Sequence, residues 1–503
     1  MGKNIVLCSD GTGNKGGYTP DSNVYKIYKA IDIHNKDKQQ TTFYDNGIGT
    51  ETNKYVRAAA GALGLGFKTN VCDLYAFLAR NYKPGDQVYL FGFSRGASTT
   101  RAFAGFISTC GLVDGRVMKE DELQDSVKEA YRAYVKFSKK SSLAKKWREE
   151  KSRNIIPIKF IGVWDTVSSL GFPQKWVIIS LGMLVLNVIF KVLDHLSDLF
   201  FPHRFYNYKL PENVEFAYQA LAIDDARTSF WPRVWNETKH SKPVEQVWFA
   251  GMHSNVGGGY HRAGMAHVAL EWMMVRAQKQ GLIFKNNFFQ TVHDDANPHG
   301  RIYDSRDGFA IFYRYHPREI KKLCKRKLKD NIKIHHSVIE RMERKTSNYA
   351  PGNLPMDFDV VTNDGAVIKT TSVKYKKERE ASIKKINRWV FCRKWLYGIF
   401  LESTIVVAAF ALIWRNEPLE PLQKGNGIMR FIVDKLDFAI PDFLNGAISV
   451  AVIQHPVYFW GAFFMLIICW ILRNFSRRRT VKACEELREQ ILEALANTQK
   501  NQS

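Results

Sequence analysis

Val88–Thr99, V-Y-L-F-G-F-S-R-G-A-S-T, is the stretch of sequence that decides the fold. It opens with four large apolar residues, which is typical of a short strand buried on both faces of a sheet. Gly92–Gly96 then match G-x-S-x-G, and the small residues after them can begin a helix. A serine on such a sharp strand-to-helix turn holds its hydroxyl above the sheet edge. Ser94 is therefore the predicted nucleophile, although a strand-to-helix turn that merely contains serine has the same local pattern.

The residues around Ser94 have expected roles of their own. Gly92 and Gly96 are required because a Cβ at either position would collide with the neighbouring strand or helix. The first amides of the new helix point at the same spot and can bind a developing oxyanion. The amide of Arg95 is thus a predicted oxyanion donor.

Residues 4–8, N-I-V-L-C, predict a first buried strand, and further strands are predicted at residues 39–44, 155–163 and 244–250. Helical patterns lie between them, at residues 25–32, 71–81 and 120–153. Strands that alternate with helices predict an α/β protein. We expect an α/β-hydrolase-like, mostly parallel sheet with helices on both faces.

Two polar residues follow strands further along the chain. Asp165 comes at the end of the strand 155–163, and His253 lies just past the strand 244–250, beside a glycine cluster. Open α/β sheets place active-site groups at the carboxyl ends of their strands. The order Ser94, Asp165, His253 is also the one that the α/β-hydrolase architecture requires. The sequence therefore predicts Asp165 as the acid and His253 as the base. A helix N-cap for Asp165 and a structural role for His253 are the alternatives.

The polar turn S-D-G-T-G-N, Ser9–Asn14, follows the first strand. The oxyanion hole of an α/β-hydrolase takes a second amide from a loop after an earlier strand. Gly11 or Thr12 is the predicted donor, and Asp10 is expected to order the loop. A metal site, a phosphate site and a simple turn are the alternatives.

The composition favours a polyanionic partner. The 503 residues carry 73 Lys and Arg against 49 Asp and Glu, for a net charge of +24. This excess suits an anionic membrane surface or nucleic acid. The sequence has no recognisable nucleic-acid module, so nucleic-acid binding ranks last. The seven cysteines include no C-x-x-C pair, which argues for reduced thiols and against a zinc site.

Three apolar stretches interrupt the globular pattern. Residues 176–190 are short for a membrane span and suit an interfacial helix or a lid, with a buried core helix as the alternative. Residues 396–414 and 446–472 are each long enough to cross a bilayer. Basic residues flank both on their outer sides, which predicts a transmembrane hairpin with cytoplasmic flanks. The alternative is a pair of apolar helices packed on the hydrolase or between subunits.

The predicted organisation has four parts. A hydrolase domain covers residues 1–355, with an apolar insertion at about 172–202, and a basic linker or helix covers 356–395. A membrane hairpin covers 396–472, and an amphipathic helix covers 473–503. The apolar residues of this last helix are four apart, which predicts packing on a partner or on the hydrolase domain; they are Ala483, Leu487, Ile491 and Leu495.

Several ordered blocks carry a family resemblance. They are S-D-G-T-G-N (9–14), Y-D-N-G-I-G-T (44–50), G-A-L-G-L-G (61–66), N-Y-K-P-G-D (81–86), F-G-F-S-R-G-A (91–97), G-V-W-D-T-V (162–167), A-L-A-I-D-D-A-R (220–227), H-S-N-V-G-G-G-Y (253–260) and, more weakly, N-Y-A-P-G-N-L-P (348–355). On these blocks the chain resembles the first class of bacterial type VI secretion lipase effectors, which have an α/β-hydrolase domain. The resemblance carries the nucleophile, acid and base onto Ser94, Asp165 and His253. One departure is Asn255, where the family commonly has Asp; a carboxylate there would assist the histidine or order a loop.

The resemblance implies hydrolysis of phospholipid esters, of A1 or A2 type. The predicted protein is a membrane-associated serine hydrolase that needs no cofactor; calcium, which some lipases use, is not indicated. Its expected partners are a phospholipid bilayer and anionic head groups, with a secretion apparatus and an immunity protein as further candidates. It is expected at the cytoplasmic membrane, with the catalytic domain on the cytoplasmic side, or delivered to a target cell. An acyl thioesterase or deacylase, and a non-catalytic membrane-disrupting protein on a hydrolase fold, are the alternatives.

Overall fold

The computed structural model describes residues 2–18, 20–47, 66–138, 140–151, 153–168, 209–369, 376–413 and 455–500. The strands are β1 (Asn4–Ser9), β2 (Gln40–Asp45), β3 (Gln87–Phe93), β4 (Ile158–Trp164), β5 (Val214–Ala222), β6 (Val244–Phe249), β7 (Ile332–His335), β8 (Phe358–Val361) and β9 (Val367–Lys369). The helices are α1 (Asn23–Ala30), α2 (Phe67–Asn81), α3 (Ser94–Cys110), α4 (Glu120–Phe137), α5 (Ser141–Glu150), α6 (His253–Gly257), α7 (Gly264–Lys279), α8 (Asn286–Asp295), α9 (Ile320–Cys324), α10 (His336–Glu343), α11 (Lys376–Ile413) and α12 (Pro456–Lys500). The predicted apolar insertion at about 172–202, with its stretch 176–190, lies outside the described residues.

These strands form one sheet in the order β2-β1-β3-β4-β5-β6-β7-β8-β9. Neighbours from β2 through β8 pair in parallel, and β9 runs antiparallel to β8. The predicted mostly parallel sheet is therefore confirmed. Because β1 lies between β2 and β3, the chain reverses its direction across the sheet there. Open α/β sheets bind ligands at such a reversal, outside the carboxyl ends of the strands.

Side chains of the central strands alternate between two hydrophobic cores. In β1, Ile5 and Leu7 pack with residues of α2, α3 and α4, whereas Val6 and Cys8 pack with residues of α1 and α7. Helices thus cover both faces of the sheet, as predicted. A strand buried on both faces needs an apolar side chain at every position, which explains the unbroken apolar run in β3.

The C-terminal part contains the long helices α11 and α12. The chain divides into two compact units, of which the larger extends to residue 383 and resumes at 485, while the smaller takes residues 384–484. Among the described residues, α12 is the one helix that is long and apolar enough to cross a membrane, by length and composition alone. Only 6% of its most apolar stretch is buried. Large apolar side chains of α12 are exposed, namely Val457, Phe464, Ile468, Trp470 and Ile471.

The predicted hairpin and tail helix have different outcomes. Helix α11 contains most of the first predicted span, but residues 414–454 lie outside the described residues. The hairpin therefore stays a prediction. In the tail, Ala483, Leu487 and Ile491 are buried, whereas Leu495, the fourth residue of the predicted apolar face, is only partly buried.

Candidate active site

Ser94 lies at the start of α3, directly after β3, in left-handed backbone with φ of 57°. Such a conformation is strained for a residue with a side chain, and strain of this kind is often found at active sites. A Cβ on Gly92 would lie 2.5 Å from the hydroxyl oxygen of Thr100, and one on Gly96 would lie 2.2 Å from the carbonyl oxygen of Ser9. Both glycines are therefore sterically required, as the sequence predicts.

The structure brings Ser94, His253 and Asp165 together at the carboxyl edge of the sheet. The Nε2 atom of His253 lies 2.7 Å from Oγ of Ser94, and its Nδ1 lies 2.6 Å from Oδ2 of Asp165. The three side chains come from the ends of β3 and β4 and from the first residue of α6. In this arrangement the imidazole can take the hydroxyl proton on one side while it donates to the carboxylate on the other.

Asp165 is held by a residue that the sequence did not indicate, Arg318. The guanidinium donates from Nη1 to Oδ1 at 2.6 Å and from Nη2 to Oδ2 at 2.7 Å. The amide of Ala222 also donates to Oδ1, at 3.0 Å. Burial raises the pKa of Asp165, but the charge of Arg318 and the hydrogen bond from His253 outweigh it and hold the pKa well below its usual range. Asp165 is thus ionised throughout the neutral range.

The imidazole of His253 lies in an apolar cage. Its ring centroid is 4.6 Å from that of Phe93 and 5.1 Å from that of Phe230. Burial lowers the pKa of His253 below its ordinary value of 6.5, and the hydrogen bond and charge of Asp165 offset part of this effect. The environment therefore favours the neutral imidazole, which is the form that can accept a proton.

Two further carboxylates fix the loop before His253. Asp224 accepts hydrogen bonds from the amide of Gly251 at 2.6 Å and from the hydroxyl of Tyr349 at 2.8 Å. Burial raises the pKa of Asp224 to about 6, although these hydrogen bonds lower it. Asp225 accepts from the amide of His253 at 3.4 Å. Asp224 and Asp225 both lie in the block A-L-A-I-D-D-A-R (220–227), which is one of the blocks that carry the family resemblance. That resemblance is the signal by which the sequence could have indicated them.

Asp10 orders the loop after β1. It is buried and accepts hydrogen bonds from the amide of Gly11 at 2.6 Å, from Nδ2 of Asn14 at 3.0 Å, and from the hydroxyls of Ser22 at 2.5 Å and Tyr44 at 2.7 Å. These bonds join the loop to α1 and β2.

This loop lies beside the nucleophile. A Cβ on Gly11 would be 3.1 Å from Cβ of Ser94. The amide of Gly11, however, donates to Asp10, which leaves Thr12 of the two predicted second oxyanion donors. Gly47 packs on the same loop, since a Cβ there would be 1.7 Å from the carbonyl oxygen of Gly11.

Asn255 connects α6 to a loop further along the chain. Its Oδ1 accepts from the amides of Met252 and Tyr303, each at 3.3 Å, and its Nδ2 donates to the carbonyl of Arg301 at 3.0 Å. The side chain therefore uses both its acceptor and its donor, and the donor is what an aspartate would lack.

Within the described part of the chain, no group of three or more His, Cys, Asp or Glu side chains is arranged to hold a metal ion. The carboxylates of Asp10 and Asp165 each accept four hydrogen bonds from protein donors.

The fold defines an α/β protein, and a hydrogen-bonded serine, histidine and aspartate lie together at the carboxyl edge of its sheet. Residues 3–276, just over half of the chain, match the family model described as type VI secretion system phospholipase effector Tle1-like, catalytic domain. The chain belongs to this family, which confirms the resemblance to type VI lipase effectors. Its members are ester hydrolases that act on phospholipids.

Comparison with curated proteins and solved structures gives two further similarities. The chain is 32% identical over 193 residues to the uncharacterised protein YEL023C of Saccharomyces cerevisiae, a match that covers 34% of this chain and 27% of the yeast protein. A crystal structure of an uncharacterised protein from Pseudomonas aeruginosa is similar at a TM-score of 0.33 and 14% identity, over 89% of this chain and 64% of that one. The matched region thus spans less than two thirds of the length of either relative.

Proposed function

We propose that the protein is a serine hydrolase of the α/β-hydrolase type that cleaves acyl esters of phospholipids at a membrane surface. The observation that carries this proposal is the hydrogen-bonded chain from Oγ of Ser94 through His253 to Asp165, at 2.7 and 2.6 Å. Its place beside the reversal between β1 and β3 agrees with where α/β sheets bind ligands. Membership of the phospholipase effector family supplies the class of substrate.

The reaction begins when Oγ of Ser94 attacks the ester carbonyl and His253 accepts its proton. Asp165 accepts a hydrogen bond from Nδ1–H, which keeps the productive tautomer and stabilises the imidazolium. The imidazolium then protonates the leaving alcohol, a lysophospholipid, and an acyl-enzyme remains. Water attacks this ester with His253 as the base, and the fatty acid leaves.

The developing oxyanion needs hydrogen-bond donors on its own side of the carbonyl. We assign the amide of Arg95, which lies in the first turn of α3, and the amide of Thr12 in the loop that Asp10 orders. Loss of one such donor typically costs about 10²–10³-fold in rate.

Membrane association is proposed through α12. Many of its large apolar side chains are exposed, and Arg477, Arg478 and Arg479 follow them at the end of the apolar stretch. Together with the net charge of +24, this suits an anionic cytoplasmic leaflet. The family implies delivery to a target cell, with a secretion apparatus and an immunity protein as partners.

The test compares Ser94→Ala with Ser98→Ala in the full-length protein. Ser98 is also buried in α3, but its hydroxyl donates to the carbonyl of Val167. Fatty-acid release from mixed phospholipid vesicles and labelling by a fluorophosphonate should be lost in Ser94→Ala and retained in Ser98→Ala. Release by Ser94→Ala at the wild-type rate would remove Ser94 from the mechanism.

Product analysis separates the remaining alternatives. Cleavage at one glycerol position distinguishes A1 from A2 activity. A thioesterase would label with the probe but leave bilayers nearly intact. A membrane-disrupting protein would release vesicle contents without fatty acid and would not label.

A further inference from the structure

Arg318 forms a two-pronged ion pair with the Asp165 carboxylate, and neither side chain is exposed. The two N–H···O bonds are parallel, at 2.6 and 2.7 Å. The same guanidinium donates to the carbonyls of Ala222 and Phe230, the latter at 2.6 Å. Arg318 thus joins the end of β4 to the end of β5 and to the segment that carries Phe230, which packs on the imidazole of His253.

The backbone of Arg318 is itself held in place. Nδ2 of Asn353 donates to the carbonyl of Ile223 at 2.9 Å and to the carbonyl of Arg318 at 3.1 Å. Both Arg318 and Asn353 lie beyond residue 276, where the family match ends. The catalytic domain model therefore assigns neither of them.

We propose that Arg318 is a positioning residue for the reaction of Ser94. It fixes the Asp165 carboxylate so that Oδ2 accepts the hydrogen bond from the imidazole of His253. It also sets the pH below which His253 is protonated and the reaction stops. This inference rests on the proposed function.

The positioning role follows from the geometry of the two hydrogen bonds between the guanidinium of Arg318 and the carboxylate of Asp165. A carboxylate with a single partner can rotate about its Cβ–Cγ bond, whereas two parallel bonds from a planar guanidinium fix its plane. Asp165 also has a strained backbone, with φ of 41°, which the surrounding contacts must hold. A lysine keeps the charge but has no planar fork, so the two properties can be separated by substitution.

The pH part follows from how the charge of Asp165 is shared. Its negative charge is divided between Arg318 and the imidazole, which weakens the stabilisation of the imidazolium. Removal of the guanidinium charge leaves the carboxylate to His253 alone and raises the pKa of the histidine. The other charges that act on this pair are Asp225 and Arg227 on the histidine, and Asp224 and Asp225 on the arginine. These residues are all retained in the variants below, although the loss of the Arg318 charge also raises the pKa of Asp224.

The experiment measures kcat, KM and the pH profile of full-length Arg318→Met and Arg318→Lys on a soluble short-chain p-nitrophenyl ester. We expect kcat to fall about 100-fold in Arg318→Met with KM little changed, because a small misplacement of a catalytic group has this effect. The acid limb of the pH profile of Arg318→Met should lie about one pH unit above that of the wild-type protein. In Arg318→Lys, kcat should fall while the acid limb stays at the wild-type pH, since the charge remains.

The control is Arg276→Met. Arg276 is also a buried arginine, but it donates to the carboxylate of Glu245 at 2.8 Å and to the carbonyl of Asn363 at 2.6 Å. Its loss should lower stability and leave the pH profile unchanged. If Arg318→Met and Arg276→Met lower kcat equally and share the wild-type acid limb, Arg318 is only a structural residue and the inference is wrong.

Two further readouts keep the result decisive. If Arg318→Met does not fold, Arg318→Lys decides the positioning role, because a wild-type kcat in that variant contradicts it. Fluorophosphonate labelling of the wild-type chain at Ser94 tests the proposed function separately. Failure of that labelling overturns the proposed function, whereas labelling with unaffected Arg318 variants overturns only the role of Arg318.

Discussion

The carboxylate of Asp165 accepts four hydrogen bonds, one each from the amide of Ala222 and Nδ1 of His253 and two from the guanidinium of Arg318. Replacement by asparagine tests what the charge contributes, because asparagine tolerates the left-handed backbone. We expect Asp165→Asn to lower kcat by about 10³-fold or more, since an amide cannot hold the tautomer or stabilise the imidazolium. The measurement is kcat on a soluble ester.

The matched control for that substitution is Asp86→Asn. Asp86 is also buried, but it pairs with Lys3 at 2.7 Å just before β3 begins, at the opposite edge of the sheet. Its loss should lower stability and leave kcat unchanged. Equal kcat values for the two variants would contradict the role of Asp165.

The pH dependence of the wild-type protein follows from His253. Only the neutral imidazole accepts the Ser94 proton, and burial lowers the pKa of this histidine below 6.5. Neutral base therefore persists at pH values where an exposed histidine is protonated, and Asp165 stays ionised there. We expect the acid limb of kcat/KM below pH 6.5. A limb above that value would show that the apolar cage does not control the base.

Asn255 offers a test of its own. Asn255→Asp would place a carboxylate against the carbonyl of Arg301 in place of a donor. The expected destabilisation is about 1–3 kcal/mol, the cost of an unsatisfied buried group. Thermal unfolding of Asn255→Asp beside Asn255→Ala measures it. An aspartate variant as stable as wild type and more active would mean that the carboxylate assists catalysis.

The turn between β3 and α3 has no room for one additional methyl group at Gly96. A Cβ on Gly96 would lie 2.2 Å from the carbonyl oxygen of Ser9 and 2.3 Å from that of Asp10. Gly96→Ala should therefore force α3 away from β1 and cost about 3 kcal/mol or more. Urea unfolding measures this cost. Gly461→Ala in α12 is the control, since nothing lies within 4 Å of its Cβ position; equal stability of both variants would contradict the close approach.

Strands could be predicted from the sequence mainly where burial produces a run of apolar residues. The predicted strands 4–8, 155–163 and 244–250 correspond to β1, β4 and β6, which are mostly apolar and mostly buried, whereas the predicted strand 39–44 corresponds to β2, a partly buried strand at the edge of the sheet. In β5, Val214–Ala222, the buried Gln219 breaks that run; it accepts a hydrogen bond from Thr166 at 2.6 Å. β5 was not predicted, and a buried glutamine does not by itself account for this, because the predicted β6 contains the buried Gln246.

The partners of the site could be predicted less well than its reactive residues. Ser94, Asp165 and His253 each follow a strand, and the carboxyl ends of parallel strands meet at one edge. Arg318 lies 153 residues from Asp165 in a segment without a strand or helix signal. Only the assembled fold brings such a pair together.

At the scale of the whole molecule, α12 should carry membrane association. Ile468→Lys combined with Ile471→Lys places two charges among its exposed apolar side chains, each of which costs about 2.5–3.5 kcal/mol inside a bilayer. We expect loss of vesicle flotation with unchanged hydrolysis of a soluble ester. Val117→Lys is the control, since Val117 is 93% exposed but lies outside α12. Flotation of the double variant at the wild-type level would contradict this role.

The distance along the chain between Asp165 and Arg318 has a consequence during synthesis. The aspartate leaves the ribosome 153 residues before the arginine that neutralises it. Between residues 253 and 318, a nascent polypeptide carries its serine, aspartate and histidine but not the guanidinium that holds the carboxylate. Chains released in that interval by stalling would therefore lack the contact that fixes Asp165.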